Sequence, residues 1–171
     1  DPVQFEVSLL TRSKQITYDN LKLRDAKLVE SATRWWNRRE AARLGIPSHG
    51  EQPWLDAPPM FAPLRLRDMW VPNRVVVSPM CQYSADDGCM SDWHLIHLGH
   101  LAYCGAGLLM VEATHVTREG RITHRCTGLY SDDNEATMKR VIDACRRLSK
   151  SPLGIQIGHA GRKGSSQLPW E

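Results

Sequence analysis

The sequence predicts an α/β protein, the first three strands of a partial (β/α)8 TIM barrel preceded by a helical extension and a linker. From Arg74 onward, short continuous apolar runs alternate with stretches of helical periodicity, which reads as strand, helix, strand, helix, strand. Right-handed βαβ units of this size build either an open doubly wound sheet or a (β/α)8 barrel. No GxGxxG follows the first run, which weakens a dinucleotide-binding sheet. Three strands in about a hundred residues is also the pace of a barrel that closes in roughly 250. A chain of 171 residues would then hold less than half of it.

The elements follow in order. In residues 1–24, Phe5, Val7 and Leu9 alternate like a half-buried strand, and Tyr18-Asp19-Asn20 reads as a turn. Asp25 can cap a helix to about Leu44, with Leu28, Ala32, Trp35 and Trp36 on one apolar face that needs a partner surface. Gly45 and Pro47 supply its stop. We take 1–45 as the tail of a preceding domain and 46–60 as a semi-rigid linker rich in proline. Residues 61–171 then form the barrel part. Leu64-Arg65-Leu66 and Trp70-Val71 flank Arg67-Asp68, a small hairpin leading into Arg74-Val75-Val76-Val77.

Three β-branched residues in a row read as a strand buried on both faces, and Ser78-Pro79 ends it because proline brings no N–H to the ladder. Ser91 or Asp92 caps a helix to about Cys104, with Leu95, Leu98, Leu101 and Ala102 on one stripe and Gly105 at its close. Leu108–Ala113 is the second apolar strand. Thr114–Tyr130 is a long polar connection and hence a functional candidate. Asp132 with Glu135 reads as a capping box, and Met138, Val141, Ile142, Cys145 and Leu148 follow helical spacing behind it. Glu135 and Lys139 form an i, i+4 pair. Past Pro152, Leu153–Ile157 is a third buried strand.

Composition narrows the function classes. An apolar fraction of 42% and a charged fraction of 24% are those of a globular protein, and a net charge of +3 with scattered cations gives no case for nucleic acid. No apolar run approaches the roughly 20 residues of a membrane span, and the first residues are not a signal peptide. The five cysteines (81, 89, 104, 126, 145) are odd in number and lack paired spacing, which fits reduced thiols in the cytoplasm. The chain starts without Met and ends at Pro169-Trp170-Glu171 with no closing element, the pattern expected of a fragment.

Each strand ends in a chemically distinctive tail: Ser78-Pro79-Met80-Cys81-Gln82-Tyr83, then Glu112-Ala113-Thr114, then Gln156-Ile157-Gly158-His159-Ala160-Gly161-Arg162-Lys163. Taken alone, Met80 and Cys81 read as packing residues, since both types are commonly buried. If the strands are parallel neighbours, however, all three tails converge on one rim, where ligands of α/β folds sit. That rim offers a thiol, an amide, a phenol, a carboxylate, an imidazole and cations. A flavin ring needs such a set, with polar partners for its edge and a soft group to adjust its electronics.

The segments VVVSPMCQYS, DWHLIHLGHLAYCGAGLLMVEATHV, REGRITHRCTGLYSDD and GIQIGHAGRKG resemble the opening of the Old Yellow Enzyme family, in the branch with a cysteine after Ser-Pro-Met. The resemblance implies a (β/α)8 barrel with FMN at the strand ends, passing hydride from NADH or NADPH to an activated C=C bond. It implies that Ser78, Pro79 and Met80 lie against the isoalloxazine and ribityl part and that Cys81 tunes the flavin from its reactive edge. Ala113 would offer backbone contact near the pyrimidine side, Gln156 would bond that side through its amide, and Tyr83 would point into the substrate pocket. The family's substrate-anchoring histidine pair and phosphate-binding residues fall beyond Glu171. The implied substrate is a small molecule of enone or aromatic acyl-CoA type, and the full-length protein would be a homo-oligomer.

The N-terminal stretch LLTRSKQITYDNLKLRD and its Trp-containing helix are similar to the tail of a class A flavin monooxygenase. That order resembles bifunctional enzymes acting on salicylyl-CoA or 2-aminobenzoyl-CoA, which implies FAD in a further N-terminal half. The alternatives are a free-standing FMN ene-reductase or dienoyl-CoA reductase, and an incomplete, non-catalytic barrel piece. His94, His97 and His100 invite a metal reading. Steps of three rotate around a helix and no CxxC accompanies them, so we expect no metal site and read them as helix surface and flavin-side packing. Glu112 is costly to bury alone, so we expect a rim cation such as Arg162 beside it, or solvent. The remaining cysteines (89, 104, 126, 145) read as inert.

Overall fold

The computed structural model describes residues 26–47 and 53–164, together with Phe5 and Ser8. The chain divides into two compact units, Asp1–Ala62 and Pro63–Glu171.

In the first unit, helix α1 (Ala26–Leu44) matches the expected helix, although Asp25 and the turn at Tyr18–Asn20 lie outside the described residues. Phe5 and Ser8 have helical backbone rather than the strand that the alternation suggested; apolar runs this short fit either period. The apolar face of α1 is not the covered one. Trp35 and Trp36 are about half exposed, at 53% and 52%, and meet edge-on with ring centroids 5.0 Å apart. The buried positions are Asn37 and Ala41. Asn37 Nδ2 lies 2.8 Å from each of the carbonyls of Trp54, Leu55 and Ala57. The proline-rich segment is thus tied back to its own helix by one amide, a polar contact that hydrophobic periodicity cannot register.

The second unit opens with the expected hairpin, β1 (Leu64–Leu66) against β2 (Met69–Val71), with Leu66 paired to Met69 across Arg67-Asp68. Strands β3 (Val76–Val77), β4 (Leu108–His115) and β5 (Leu153–Gly158) then form a parallel sheet in the order β3-β4-β5. Between them run α2 (Asp92–Tyr103) and α3 (Asp132–Leu148). The core lies where these helices cover one sheet face: Leu98 and Ala102 of α2 and Met138, Val141 and Cys145 of α3 pack on Leu109 and Val111 of β4. The predicted stripes of α2 and α3 are therefore the buried ones, except that Leu148 is exposed.

Several expectations are corrected. The outer strands are not buried on both faces: Val76, beside the core-packed Val77, is 52% exposed on the other face, and Ile157, past the core-packed Leu153 and Ile155, is 62% exposed. Strand β4 runs two residues further than expected, to His115, since Thr114 and His115 remain buried against the following connection. That connection is pinned down by the Leu129 amide donating to the His115 carbonyl and by Thr127 Oγ1 donating to the Ala113 carbonyl at 3.0 Å. Helix α3 is capped by Ser131, whose side chain accepts from the Asn134 amide, rather than by an Asp132–Glu135 box. Neighbouring residues of the same capping type compete, and the one whose backbone is extended wins. Lys139 pairs with Asp143 one turn on, not with Glu135.

Leu109 is 1% exposed in the middle of this core, so Leu109→Ala should destabilise the unit by about 2–5 kcal/mol in a denaturant titration. Ile96→Ala, at a 71% exposed position on α2, should change it by no more than about 0.5 kcal/mol.

Candidate functional site

The rim forms where the three parallel strands end. Register places Ala113 opposite Gln156 and His115 opposite Gly158. The chain leaving β3 carries Cys81 to the same place, close enough for the Ala113 backbone amide to act on its thiol. Cys81, Ala113 and Gln156, expected to meet from their positions after three strands, do so. Pro79, Cys81 and Ala113 are half-buried, whereas Ser78, Met80, Tyr83 and Gln156 are exposed, so the rim is a shelf open to solvent.

Burial pushes the Cys81 thiol above its ordinary pKa, the Ala113 amide pulls the other way, and the nearby Glu112 adds a further upward push. The Tyr83 phenol is also raised, chiefly by the neighbouring Cys81. Cys81 is therefore a protonated thiol near neutrality, a soft polarisable group rather than a nucleophile.

The backbone bearing these groups is tightly held. Tyr83 takes φ +50°, a left-handed conformation that is uncommon outside glycine. Gln82 Nε2 donates to the Met80 carbonyl at 2.8 Å, and Trp93 Nε1 donates to Gln82 Oε1 at 3.1 Å. Ser84 Oγ donates to the Gln82 carbonyl, and Arg125 Nε to that of Tyr83.

From below, Glu112 Oε2 accepts the Gln82 backbone N–H at 2.9 Å, and Glu112 Oε1 lies 3.1 Å from His94 Nε2, a close but poorly aligned contact. Glu112 and His94 are both buried. This corrects two expectations: neither Arg162 nor solvent meets Glu112, and His94 is not helix surface. The physical reason is a register shift between Val111 and Ala113, a bulge that turns the Glu112 side chain inward. His94 was legible in one respect, for it precedes Leu98 and Ala102 at steps of four and so falls on the buried stripe. Gln82, His94 and Arg125 were not among the sequence-derived site residues.

Beside the shelf lies a cleft of about 750 Å³ lined by Ser84, Asp87, Trp93, Arg121, His124 and Arg125, among others. Cys81, Ala113 and Gln156 do not line it. Its back wall is a polar cluster in which Asp87 meets Arg118 at 2.7 Å, Arg121 at 3.1 Å and the Tyr130 hydroxyl at 3.3 Å. Gly88 allows this approach: it has φ +82°, and a Cβ there would stand 2.6 Å from the Tyr130 oxygen. Among the described residues, no three His, Cys, Asp or Glu side chains gather as metal ligands. No helix among them is long and apolar enough to cross a membrane.

A short parallel sheet covered by helices on one face brings the chain leaving each strand to one rim, the place where ligands of α/β folds sit. The chain belongs to the NADH:flavin oxidoreductase / NADH oxidase family, whose model matches residues 59–169. It is 46% identical over 111 residues to an NADH:flavin oxidoreductase of Gibberella zeae, covering 65% of this chain and 27% of that protein. It is 40% identical over 114 residues to an NADPH dehydrogenase of Geobacillus thermodenitrificans, covering 66% and 33% respectively. Among solved structures, morphinone reductase in complex with tetrahydroNAD superposes with a TM-score of 0.57 at 29% identity, over 63% of this chain and 29% of that one. The old yellow enzyme from Trypanosoma cruzi gives 0.56 at 25% identity, over 62% and 28%. The chain thus spans about a third or less of the length of these relatives.

Because the folded state holds the Cys81 proton more tightly than an unfolded chain does, alkylation of Cys81 should follow a pH profile displaced upward from that of the same thiol in a peptide. Peptide-resolved mass spectrometry after timed iodoacetamide treatment measures it, and a profile at or below the peptide's would remove the burial effect.

Proposed function

We propose that this chain supplies the opening strands of a (β/α)8 barrel that holds FMN at its strand ends and serves an NAD(P)H-dependent oxidoreductase of the ene-reductase type. FMN, when bound, supplies the hydride chemistry between NADH or NADPH and an activated carbon–carbon double bond. The chain's own residues bind and orient it. Ser78, Pro79 and Met80 form the surface under the isoalloxazine and ribityl part, the Ala113 backbone and Gln156 amide meet the pyrimidine edge, Cys81 stands at the reactive edge, and Tyr83 faces the substrate. The observation that carries this reading is that Cys81 stands by Ala113, which pairs directly with Gln156 across β4 and β5. The exposed shelf fits a flat ring that needs a polar edge and an apolar face. A protonated, half-buried thiol fits a group that tunes a flavin without attacking it.

A second, finer reading is favoured by the separate compact unit 1–62, most of which lies outside the family-matched residues. In that reading the barrel is the reductase-like half of a bifunctional aromatic acyl-CoA monooxygenase/reductase, with FAD in another half. The substrate is then an aromatic acyl-CoA rather than a free enone, and the working protein is a homo-oligomer in the cytoplasm. Its five free thiols suit that compartment.

Replacing Cys81 by Ala in the whole flavoprotein should leave FMN bound and move its two-electron potential by about 30 mV, the equivalent of one ~1.4 kcal/mol interaction. An unmoved potential would take Cys81 away from the flavin. Chromatography of the released cofactors separates the two readings: FMN alone supports the free-standing reductase, FMN with FAD the bifunctional protein, and no FMN contradicts both.

A further inference from the structure

The group that fixes the flavin-facing segment is buried beneath it. Gln82 sits between Cys81 and Tyr83, and its N–H donates to Glu112 Oε2 at 2.9 Å. The other carboxylate oxygen lies 3.1 Å from His94 Nε2. His94 is itself oriented, because the Ser91 backbone N–H, which can only donate, points at His94 Nδ1 from 3.0 Å. Nδ1 is therefore the accepting nitrogen, and the ring hydrogen lies on Nε2, which stands 3.1 Å from Glu112 Oε1 without an aligned hydrogen bond. Ser91 Oγ in turn donates to the Ser84 carbonyl at 3.0 Å, which closes the chain of contacts back onto the segment it supports. Glu112 occupies the β4 bulge between Val111 and Ala113, so the residue that meets Cys81 and the residue that anchors Gln82 are adjacent.

We propose that Glu112, oriented by His94, is the positioning residue that sets the Cys81–Tyr83 segment against the flavin ring. The assignment rests on the flavin reading above. Glu112 Oε2 accepts the Gln82 N–H, and His94 Nε2 packs against Oε1 at 3.1 Å in a contact too poorly aligned to be a hydrogen bond. A carboxamide of the same shape sets against the Gln82 N–H either a neutral oxygen, a weaker acceptor than a carboxylate, or an NH2 group, which does not accept at all, inside a site that water does not reach. The consequence is local: the tie on the amide between Cys81 and Tyr83 weakens, while the β4 core residues Leu109 and Val111 keep theirs.

Two readouts test this. The first does not involve the flavin: amide hydrogen exchange of Gln82, followed by NMR. In Glu112→Gln, exchange at Gln82 should quicken roughly tenfold, the equivalent of ~1.4 kcal/mol, with Val141 in the α3 core unchanged. If Glu112→Gln does not fold, His94→Gln is the second variant, and the same acceleration at Gln82 is expected of it. Unchanged exchange at Gln82 would overturn the anchor.

The second readout is a double-mutant cycle on the flavin potential of the FMN-loaded whole protein. If Glu112 acts through the Cys81 segment, the potential shift produced by Glu112→Gln should shrink to less than half in the Cys81→Ala background. Equal shifts in both backgrounds would overturn the positioning role. Should Cys81→Ala by itself leave the potential unmoved, the placing of Cys81 at the flavin fails, while the exchange result still decides the anchor.

Discussion

A buried carboxylate sets the architecture of the rim. Leaving Glu112 without partners in the interior costs several kcal/mol, so its neighbours have to supply donors. The Gln82 amide, in the segment after β3, donates to it, and the ring of His94, in the first turn of α2, packs against its other oxygen at 3.1 Å without an aligned hydrogen bond. One side chain on the middle strand thereby links the end of the edge strand to the helix that follows it. The bulge at Glu112 makes this possible, since regular alternation beyond Val111 would carry the next side chain to the opposite face.

Below the bulge the sheet is ordinary packing, with Leu109 and Val111 facing α2 and α3. Above it, polar satisfaction takes over. Thr127 bonds the Ala113 carbonyl, the His115 and Thr127 backbones pair, and Asp87 gathers two arginines and the Tyr130 hydroxyl. The long connection after β4 is thus a wall built against the rim, held by polar contacts. The half-exposed Val76 and the exposed Ile157 belong to strands with a neighbour on one side only. In the barrel we propose, further strands occupy those edges.

Much of the fold was legible because parallel strands and their helices have strong one-dimensional signatures. The runs at Val75–Val77, Leu108–Ala113 and Leu153–Ile157 marked the strands, and Leu98, Ala102, Met138, Val141 and Cys145 marked the inner helix faces. The meeting of Cys81, Ala113 and Gln156 followed from strand order alone, because parallel neighbours end on the same side. The polar partnerships were not legible. A bulge adds one residue without leaving a mark in the composition, so the direction of Glu112 was hidden. Steps of three concealed that one histidine of the series points inward while His100 stays on the surface. Asn37 holds Trp54, Leu55 and Ala57 through their backbone carbonyls, which are the same for every residue type.

In the reading we propose, a flavin lies on one rim assembled from three strand ends. A crystal structure of the whole protein with its flavin bound tests it most directly. The isoalloxazine should touch Met80, Cys81, Ala113 and Gln156, with Glu112 still accepting from Gln82 beneath it. A flavin seated in the cleft between Trp93 and Arg125, or anywhere away from that shelf, would contradict it.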